Sequence, residues 1–288
     1  MRLHISLRMR AIAVGAAAAA TMAFPMAGSA PVSAGSASYL ALGDSVVYGF
    51  ITHDTPAYVN PNNFIGYPQV VGQSLNMPVF NAACPGEATT GYLSASGADN
   101  GCRPFRANFP LHVSYTGTQD AYAVSFLQAH PQTKLVTVSL GANDGFMLET
   151  ACAGDPTCIA AGVPALLQTV AVNMSTILGD IRGAGFNGTL IVVNYYSLDY
   201  TDAAGTALDQ LLNQAETSSA AAHGAAVADV FTAFQTAATP AGGHTCFAGL
   251  LNGSPSTTLA CDVHPSITGQ NLIAQTVLST YAAVRASS

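Results

Sequence analysis

A serine, a histidine and an aspartate occur in the chain at positions where they could form a hydrolytic triad. Ser45 follows the apolar segment YLALGD, and His264 lies near the C-terminus in CDVHPS, two residues after Asp262. A serine hydroxyl attacks an ester carbonyl only when a base takes its proton, and an imidazole oriented by a carboxylate is the usual base. We therefore interpret Ser45 as a candidate nucleophile, His264 as its base and Asp262 as the first candidate to orient the imidazole.

Three further groups are candidate hydrogen-bond donors for the negative charge that develops in such a reaction. The backbone amides of Ser45 and Gly86 and the side-chain amide of Asn143 could donate to the oxyanion of a tetrahedral intermediate. Each residue also has a simpler interpretation: Ser45 as a helix cap, Gly86 as a turn glycine and Asn143 as a turn or cap residue. A shared site therefore requires that the fold bring them together.

Strand-like and helix-like segments alternate along the chain, which predicts a parallel sheet covered by helices on both faces. In an open parallel sheet, ligands bind beyond the carboxyl ends of the strands. Ser45, Gly86 and Asn143 each follow a predicted strand, so we expect them at one edge. The predicted strands span residues 38–43, 78–83, 134–141, 188–196 and 225–230, the predicted helices about 64–75, 119–129, 160–184, 204–223 and 267–285, and the irregular segments 84–118 and 238–262.

The first 34 residues have the order of a secretory signal peptide. Three arginines come first, an apolar run from Ala11 to Phe24 follows, and small residues continue to Ala34. The apolar run is too short for a permanent membrane anchor. We expect cleavage after Ala34, secretion of the mature chain, and a single catalytic domain over residues 35–288.

The charge composition makes nucleic acid a poor candidate partner. The chain has eight basic and fifteen acidic side chains and a formal net charge of −7, with nothing like the basic stripe that nucleic-acid binding requires. The expected partner is instead a small-molecule or lipid ester, and we expect the chain to act on it as a monomer.

Six cysteines indicate disulfides, because an even number in an exported chain is typical of them. The lack of a Cys-x-x-Cys pair disfavours a zinc site, and we expect neither a metal nor another cofactor. Several pairings are possible. Proximity along the chain suggests three local ones: Cys84–Cys102, Cys152–Cys158 and Cys246–Cys261.

Four blocks around the candidate residues, in this order, resemble the GDSL or SGNH hydrolase family. The resemblance extends from residue 39 to about residue 275 and implies a three-layer α/β/α sandwich with a five-stranded parallel sheet in flavodoxin-like order. The blocks are GDS at residues 43–45, Gly86, GAND at residues 141–144 and DVHP at residues 262–265.

The resemblance implies the same roles as the chemistry, with a nucleophilic Ser45, a base at His264, and oxyanion-hole donors at Gly86 and the GAND block. One departure leaves the group that orients the histidine open. Members of the family usually carry an acidic residue three positions before the histidine, where this chain has Cys261. The carbonyl of Cys261 is therefore an alternative to the carboxylate of Asp262.

The expected activity is the hydrolysis of carboxylic esters through an acyl-serine intermediate, by a secreted esterase or lipase. The apolar segments ANFPLHV and FAGLLNG in the irregular loops favour acyl chains over sugars. The alternatives are an O-acetylesterase acting on polysaccharide or peptidoglycan, an acyltransferase, and a secreted binding protein that keeps the fold without the activity.

Overall fold

Five parallel strands form one sheet, as the alternating pattern of the sequence predicts. The computed structural model describes residues 37–52, 55–253 and 261–287, so the predicted signal peptide at residues 1–34 lies outside the described residues. The strands are β1 (Ser38–Gly43), β2 (Val79–Asn81), β3 (Thr133–Ser139), β4 (Thr189–Val193) and β5 (Ala225–Ala228). Their order in the sheet is β2-β1-β3-β4-β5, which is the flavodoxin-like order.

Helices lie on both faces of this sheet. The two helices that contribute most directly to the cleft described below are α6 and α8. The helices are α1 (Ser45–Tyr48), α2 (Tyr67–Leu75), α3 (Thr89–Leu93), α4 (Cys102–Asn108), α5 (Gln119–Ala129), α6 (Ala142–Ala151), α7 (Pro156–Gly183), α8 (Ala203–Thr217), α9 (Val230–Ala238) and α10 (Ile267–Ala286).

Successive residues of β1 face opposite layers of the core, as the two-residue period of a strand requires. Tyr39 and Ala41 belong to one buried cluster, which also contains residues of α2, α9 and α10. Leu40 and Leu42 belong to the other, which contains residues of α5 and α7. The sheet is therefore the middle layer of an α/β/α sandwich, which confirms the predicted fold class.

By length and composition alone, α7 is long and apolar enough to cross a membrane. The side chains of Val170, Met174, Ile177 and Ile181 on this helix are fully buried in the core cluster that covers one face of the sheet. One stripe of α7 therefore packs on the sheet, as in a helix of an α/β sandwich.

The segments predicted to be irregular contain short elements that periodicity does not detect. Residues 84–118 include α3 and α4, and an antiparallel pair is formed by β6 (Leu251–Gly253) and β7 (Cys261–Pro265). Disulfides Cys84–Cys102 and Cys246–Cys261 tie these segments, and Cys152–Cys158 joins the end of α6 to the start of α7.

The end of β1 is held by a side chain where the strand ladder stops. Gln119 accepts a hydrogen bond from the Gly43 N–H at 2.6 Å and donates one to the Gly43 carbonyl at 3.0 Å. Gly43 has a φ of 148°, and a Cβ there would collide with the carbonyl of Ser139 on β3. A glycine is therefore required at this position, directly before the Asp44–Ser45 pair.

The carboxyl group of Glu216 on α8 is buried next to the start of α6. The residue is fully buried, and neither carboxyl oxygen has a hydrogen-bond partner in the described part of the chain. A Cβ at Gly141 would collide with Glu216 Oε1, so the two residues are in close contact. Burial raises the pKa of Glu216 well above its ordinary range, and the nearby carboxylates of Asp44 and Asp144 raise it further.

We predict that Glu216→Gln makes the free energy of unfolding less dependent on pH. Folded Glu216 keeps a proton that the unfolded chain releases, so the wild type loses stability as pH rises above the ordinary range of a glutamate, by up to about 1.4 kcal/mol per pH unit. Glutamine has no proton to release, so the variant lacks this loss of stability. Urea unfolding at pH 5 and pH 8 measures the change in the free energy of unfolding for the wild type and the variant. Equal wild-type and variant changes between the two pH values would contradict the assignment.

Candidate active site

Three of the predicted site residues line one cleft at the carboxyl edge of the sheet. Ser45 begins α1 directly after β1, Asn143 lies in the first turn of α6 after β3, and His264 lies on β7. All three border a cleft of about 280 Å³. The parallel strands bring Ser45 and Asn143 to the same edge, and the β6–β7 pair brings His264 there.

The imidazole of His264 is held by the carboxylate of Asp262. Its Nδ1 lies 2.8 Å from Oδ1 and 2.9 Å from Oδ2 of Asp262. Partial burial raises the pKa of Asp262, but the hydrogen bond and charge of His264, together with the hydroxyl of Thr52, hold it below its usual range. An ionised carboxylate only accepts, so Nδ1 carries the proton and Nε2 is left as the basic nitrogen.

Two aromatic side chains fix the strand that carries the histidine. The hydroxyl of Tyr196 donates to the carbonyl of Val263 at 2.6 Å, and the ring of Phe50 lies 4.9 Å from the His264 ring, centroid to centroid. Tyr196 follows β4, so a central strand of the sheet restrains the histidine segment from outside its own hairpin. Sequence alone does not reveal this contact, because a tyrosine after an apolar strand carries no motif.

Asp44 is a buried carboxylate that joins three parts of the fold. It accepts hydrogen bonds from the Val46 N–H at 2.9 Å, the Asn143 amide at 3.1 Å and the Tyr195 hydroxyl at 2.6 Å. Burial raises the pKa of Asp44 to about 6, although these hydrogen bonds and the charge of His264 oppose the rise. The residue before the candidate nucleophile therefore ties the end of β1 to α6 and to the end of β4.

Both amide hydrogens of Asn143 are engaged within the protein. The nitrogen donates to Asp44 Oδ2 at 3.1 Å and to the carbonyl of Glu87 at 3.0 Å, and the oxygen accepts from Asn100 at 2.9 Å. This pattern fixes the orientation of the amide, because the reversed amide would point its oxygen at a carboxylate and a carbonyl. Asn143 can donate to an oxyanion only by giving up one of these two bonds.

The backbone amides predicted as donors are available. Among the described residues, nothing accepts a hydrogen bond from the N–H of Ser45 or of Gly86. Gly86 is not one of the residues that line the cleft, but the next residue, Glu87, contacts the Asn143 amide through its carbonyl. The φ of Gly86 is 85°, and a Cβ there would lie 2.5 Å from the carbonyl oxygen of Asn100, so this turn requires glycine.

Ser45 and His264 face the same cleft without a hydrogen bond between them. Within the described residues, neither Ser45 Oγ nor His264 Nε2 has a hydrogen-bond partner. Bonds between nucleophile and base are often long in a free enzyme and shorten when substrate binds. The Ser45 hydroxyl and the basic nitrogen are therefore both available to a bound molecule.

The cleft has apolar walls and an acidic end. Glu149 and Asp202 raise the pKa of Asp209, after the larger effect of its partial burial, so these carboxyl groups lie near one another. The residues that line the cleft include no lysine or arginine, and negative ions are therefore repelled from it. The apolar wall residues are Val46, Phe146, Leu148, Ile159, Leu166, Leu198, Leu208, Leu212 and Val263.

One group of residue types that ligate metals gathers among the described residues, at Cys84, Glu87 and Cys102. The two cysteine sulfurs form a disulfide and offer no thiolate. Burial raises the pKa of Glu87 to about 8, with a further contribution from Asp99. This group is therefore a poor ligand set for a cation.

Several solved structures share the fold of this chain. Phospholipase A1 from Streptomyces albidoflavus is 21% identical, with a TM-score of 0.54 over 85% of this chain and 99% of that chain. A lipase from a goat rumen metagenome is 16% identical (TM-score 0.54; 85% and 97% covered), and an acetyl xylan esterase from Geobacillus stearothermophilus is 13% identical (TM-score 0.53; 85% and 94% covered). At these identities the likeness shows the fold.

A search of curated proteins found no match. The model of the GDSL-like Lipase/Acylhydrolase family, in contrast, matches residues 41–272 of the chain. This range includes Ser45, Gly86, Asn143 and His264. The chain belongs to the GDSL-like lipase/acylhydrolase family.

Proposed function

We propose that the protein is a secreted serine esterase or lipase that hydrolyses carboxylic esters through an acyl-serine intermediate. The observation that carries the proposal is the contact between His264 Nδ1 and Asp262, which leaves a basic Nε2 in the cleft that Ser45 also lines. Membership of the family supports the hydrolase class. Asp262, which contacts the ring, takes the role of orienting group in preference to the Cys261 carbonyl.

In the first half of the reaction, Ser45 Oγ attacks the ester carbonyl carbon while its proton passes to His264 Nε2. Collapse of the tetrahedral intermediate breaks the bond to the alcohol oxygen, which takes that proton and leaves. In the second half, a water molecule gives a proton to the same nitrogen and attacks the acyl carbon. The acid is released, and the proton returns to Ser45.

The oxyanion of each intermediate is stabilised in this proposal by the N–H groups of Ser45 and Gly86. Asn143 is the third donor, and it joins them by exchanging its bond to the Glu87 carbonyl or to Asp44 for one to the oxyanion. Either exchange costs a hydrogen bond, so the side-chain donor contributes less than a free one.

An acyl chain fits the cleft better than a sugar because the cleft walls are mainly apolar. The acidic end repels carboxylates, which favours departure of the acid product. An acetyl group would leave most of the apolar wall unused. One structural neighbour is an acetyl xylan esterase, so a preference for acetate is the competing result in the test below.

Secretion is supported by the three disulfides, which persist in oxidising compartments. In this proposal residues 1–34 are the signal peptide and residues 35–288 are a single catalytic domain. The three triad residues come from one chain, so a monomer suffices.

The proposal predicts that p-nitrophenyl esters are hydrolysed and that Ser45→Ala lowers kcat/KM at least ~10,000-fold, because the nucleophile is lost. Rates on esters from acetate to hexadecanoate, with circular dichroism to verify folding, give the measurement. Ser74→Ala, on the exposed face of α2, is the matched control and keeps wild-type rates. Wild-type turnover in Ser45→Ala would refute the mechanism, and a maximum at acetate would favour the acetylesterase.

The proposal also predicts that Tyr196→Phe lowers kcat about tenfold with little change in KM. Loss of its bond to Val263 frees the strand that positions His264, and a 1 Å displacement of a catalytic group is costly. Tyr200→Phe is the control, because it removes a similar bond, 2.7 Å long, to the Phe231 carbonyl, together with the 3.2 Å bond that its hydroxyl accepts from the Ser197 N–H. Each variant loses about 1 kcal/mol of stability. Equal kcat losses in both variants would contradict a specific role for Tyr196.

A further inference from the structure

Helix α6 leads away from the candidate nucleophile along one side of the cleft. Its first turn contains Asn143, which contacts the residue before Ser45 through its 3.1 Å bond to Asp44. A helix rises 1.5 Å per residue, so residues 142–149 span ~10 Å. The lining residues on one face of α6 are Ala142, Gly145, Phe146 and Glu149, which follow the i, i+3, i+4, i+7 spacing of a single helix face.

The backbone conformation of α6 does not require a glycine on this face. Gly145 lies in the middle of α6 and is not among the glycines with positive φ, so any residue could adopt its conformation. Glycine in a helix interior is less stable than alanine, because it loses more conformational freedom on folding. Gly145 therefore weakens α6 without a gain in backbone geometry.

Packing does not require the glycine either. A Cβ at Gly145 would have one neighbour within 4 Å, Leu212 Cδ2 on α8, at an ordinary contact distance of 3.8 Å. By contrast, a Cβ at Gly162 on α7 would lie 2.4 Å from a methyl group of Leu148. The gap to Leu212 has room for about one methyl group, so what the glycine leaves open is the part of the cleft beside that leucine, which both Gly145 and Leu212 line.

We infer that Gly145 sets the acyl-chain specificity of the site, because its missing side chain leaves a passage beside Leu212, along the cleft face of α6, through which a chain of medium or greater length extends. The inference rests on the proposed ester hydrolysis and names its substrate class. Phe146, Leu208 and Leu166 also line the cleft, so methylene groups that enter the passage are removed from water. A short acyl group ends before the passage and gains nothing from it.

The test is the ratio of kcat/KM for p-nitrophenyl decanoate to that for p-nitrophenyl butanoate. Gly145→Leu fills the passage and lowers this ratio at least tenfold, because each methylene group kept out of an apolar site costs about fourfold in binding. Gly145→Ala lowers the ratio less, and its Cβ fits without displacing a neighbour, so it keeps the test valid if the leucine variant does not fold.

Gly183→Leu is the matched control. Gly183 is an exposed glycine near the end of α7, does not line the cleft, and has nothing within 4 Å of a built Cβ. The ratio in this variant stays within twofold of the wild type. An unchanged ratio in both Gly145 variants would overturn the inference, and so would an equal fall in the Gly183 variant.

Binding of decan-1-ol, measured by calorimetry, separates this inference from the proposed function. A wild type that cleaves no ester refutes the hydrolysis, while the passage is still tested by alcohol binding. Tenfold weaker binding in Gly145→Leu but not in Gly183→Leu supports the passage. Equal affinities in the three proteins overturn it.

Discussion

The hydrogen bonds that satisfy the Asp44 carboxylate determine where the site residues lie. A buried carboxylate is costly unless each oxygen is paired, and Asp44 is paired by groups from α1, α6 and the segment after β4. These partners come from sequence positions up to 151 residues away. A shift of any one would cost the carboxylate one of these hydrogen bonds, so the network holds the Ser45 turn and the Asn143 turn in one arrangement.

Adjacent tyrosines after β4 connect this network to the histidine. Tyr195 donates to Asp44, and Tyr196 donates to the carbonyl of Val263, next to His264. The two hydroxyls bind different elements, so one short segment contacts both the Asp44 network and the strand that carries His264. Asn213 on α8 holds this segment, because its side chain accepts from the N–H of Tyr195 and donates to its carbonyl. The wall of the cleft thus also supports the residues to which the proposed mechanism assigns the chemistry.

Much of this arrangement could be predicted from sequence, because the periodic spacing of apolar residues indicates which face of a strand or helix is buried. All five strands and their parallel arrangement follow from apolar runs separated by helical patterns, and the family confirmed by residues 41–272 was identified from four short blocks. The helices α6 and α9 were not predicted, because α6 has little hydrophobic periodicity and α9 is a short apolar run that follows β5 after one residue. Contacts of Tyr195, Tyr196 and Glu216 could not be predicted, since pairing between side chains far apart in sequence depends on packing. For the same reason, sequence could not show that the Asn143 amide is already occupied.

In the proposed mechanism, Ser45 is the nucleophile and the cleft activates it. The most direct test is covalent labelling with a fluorophosphonate that carries a decyl chain, followed by mass spectrometry of peptides. We expect one adduct, on Ser45, which is lost in Ser45→Ala and formed much more slowly in His264→Ala, since the base is missing. An adduct on another residue, or equal labelling of the wild type and the Ser45 variant, would contradict it.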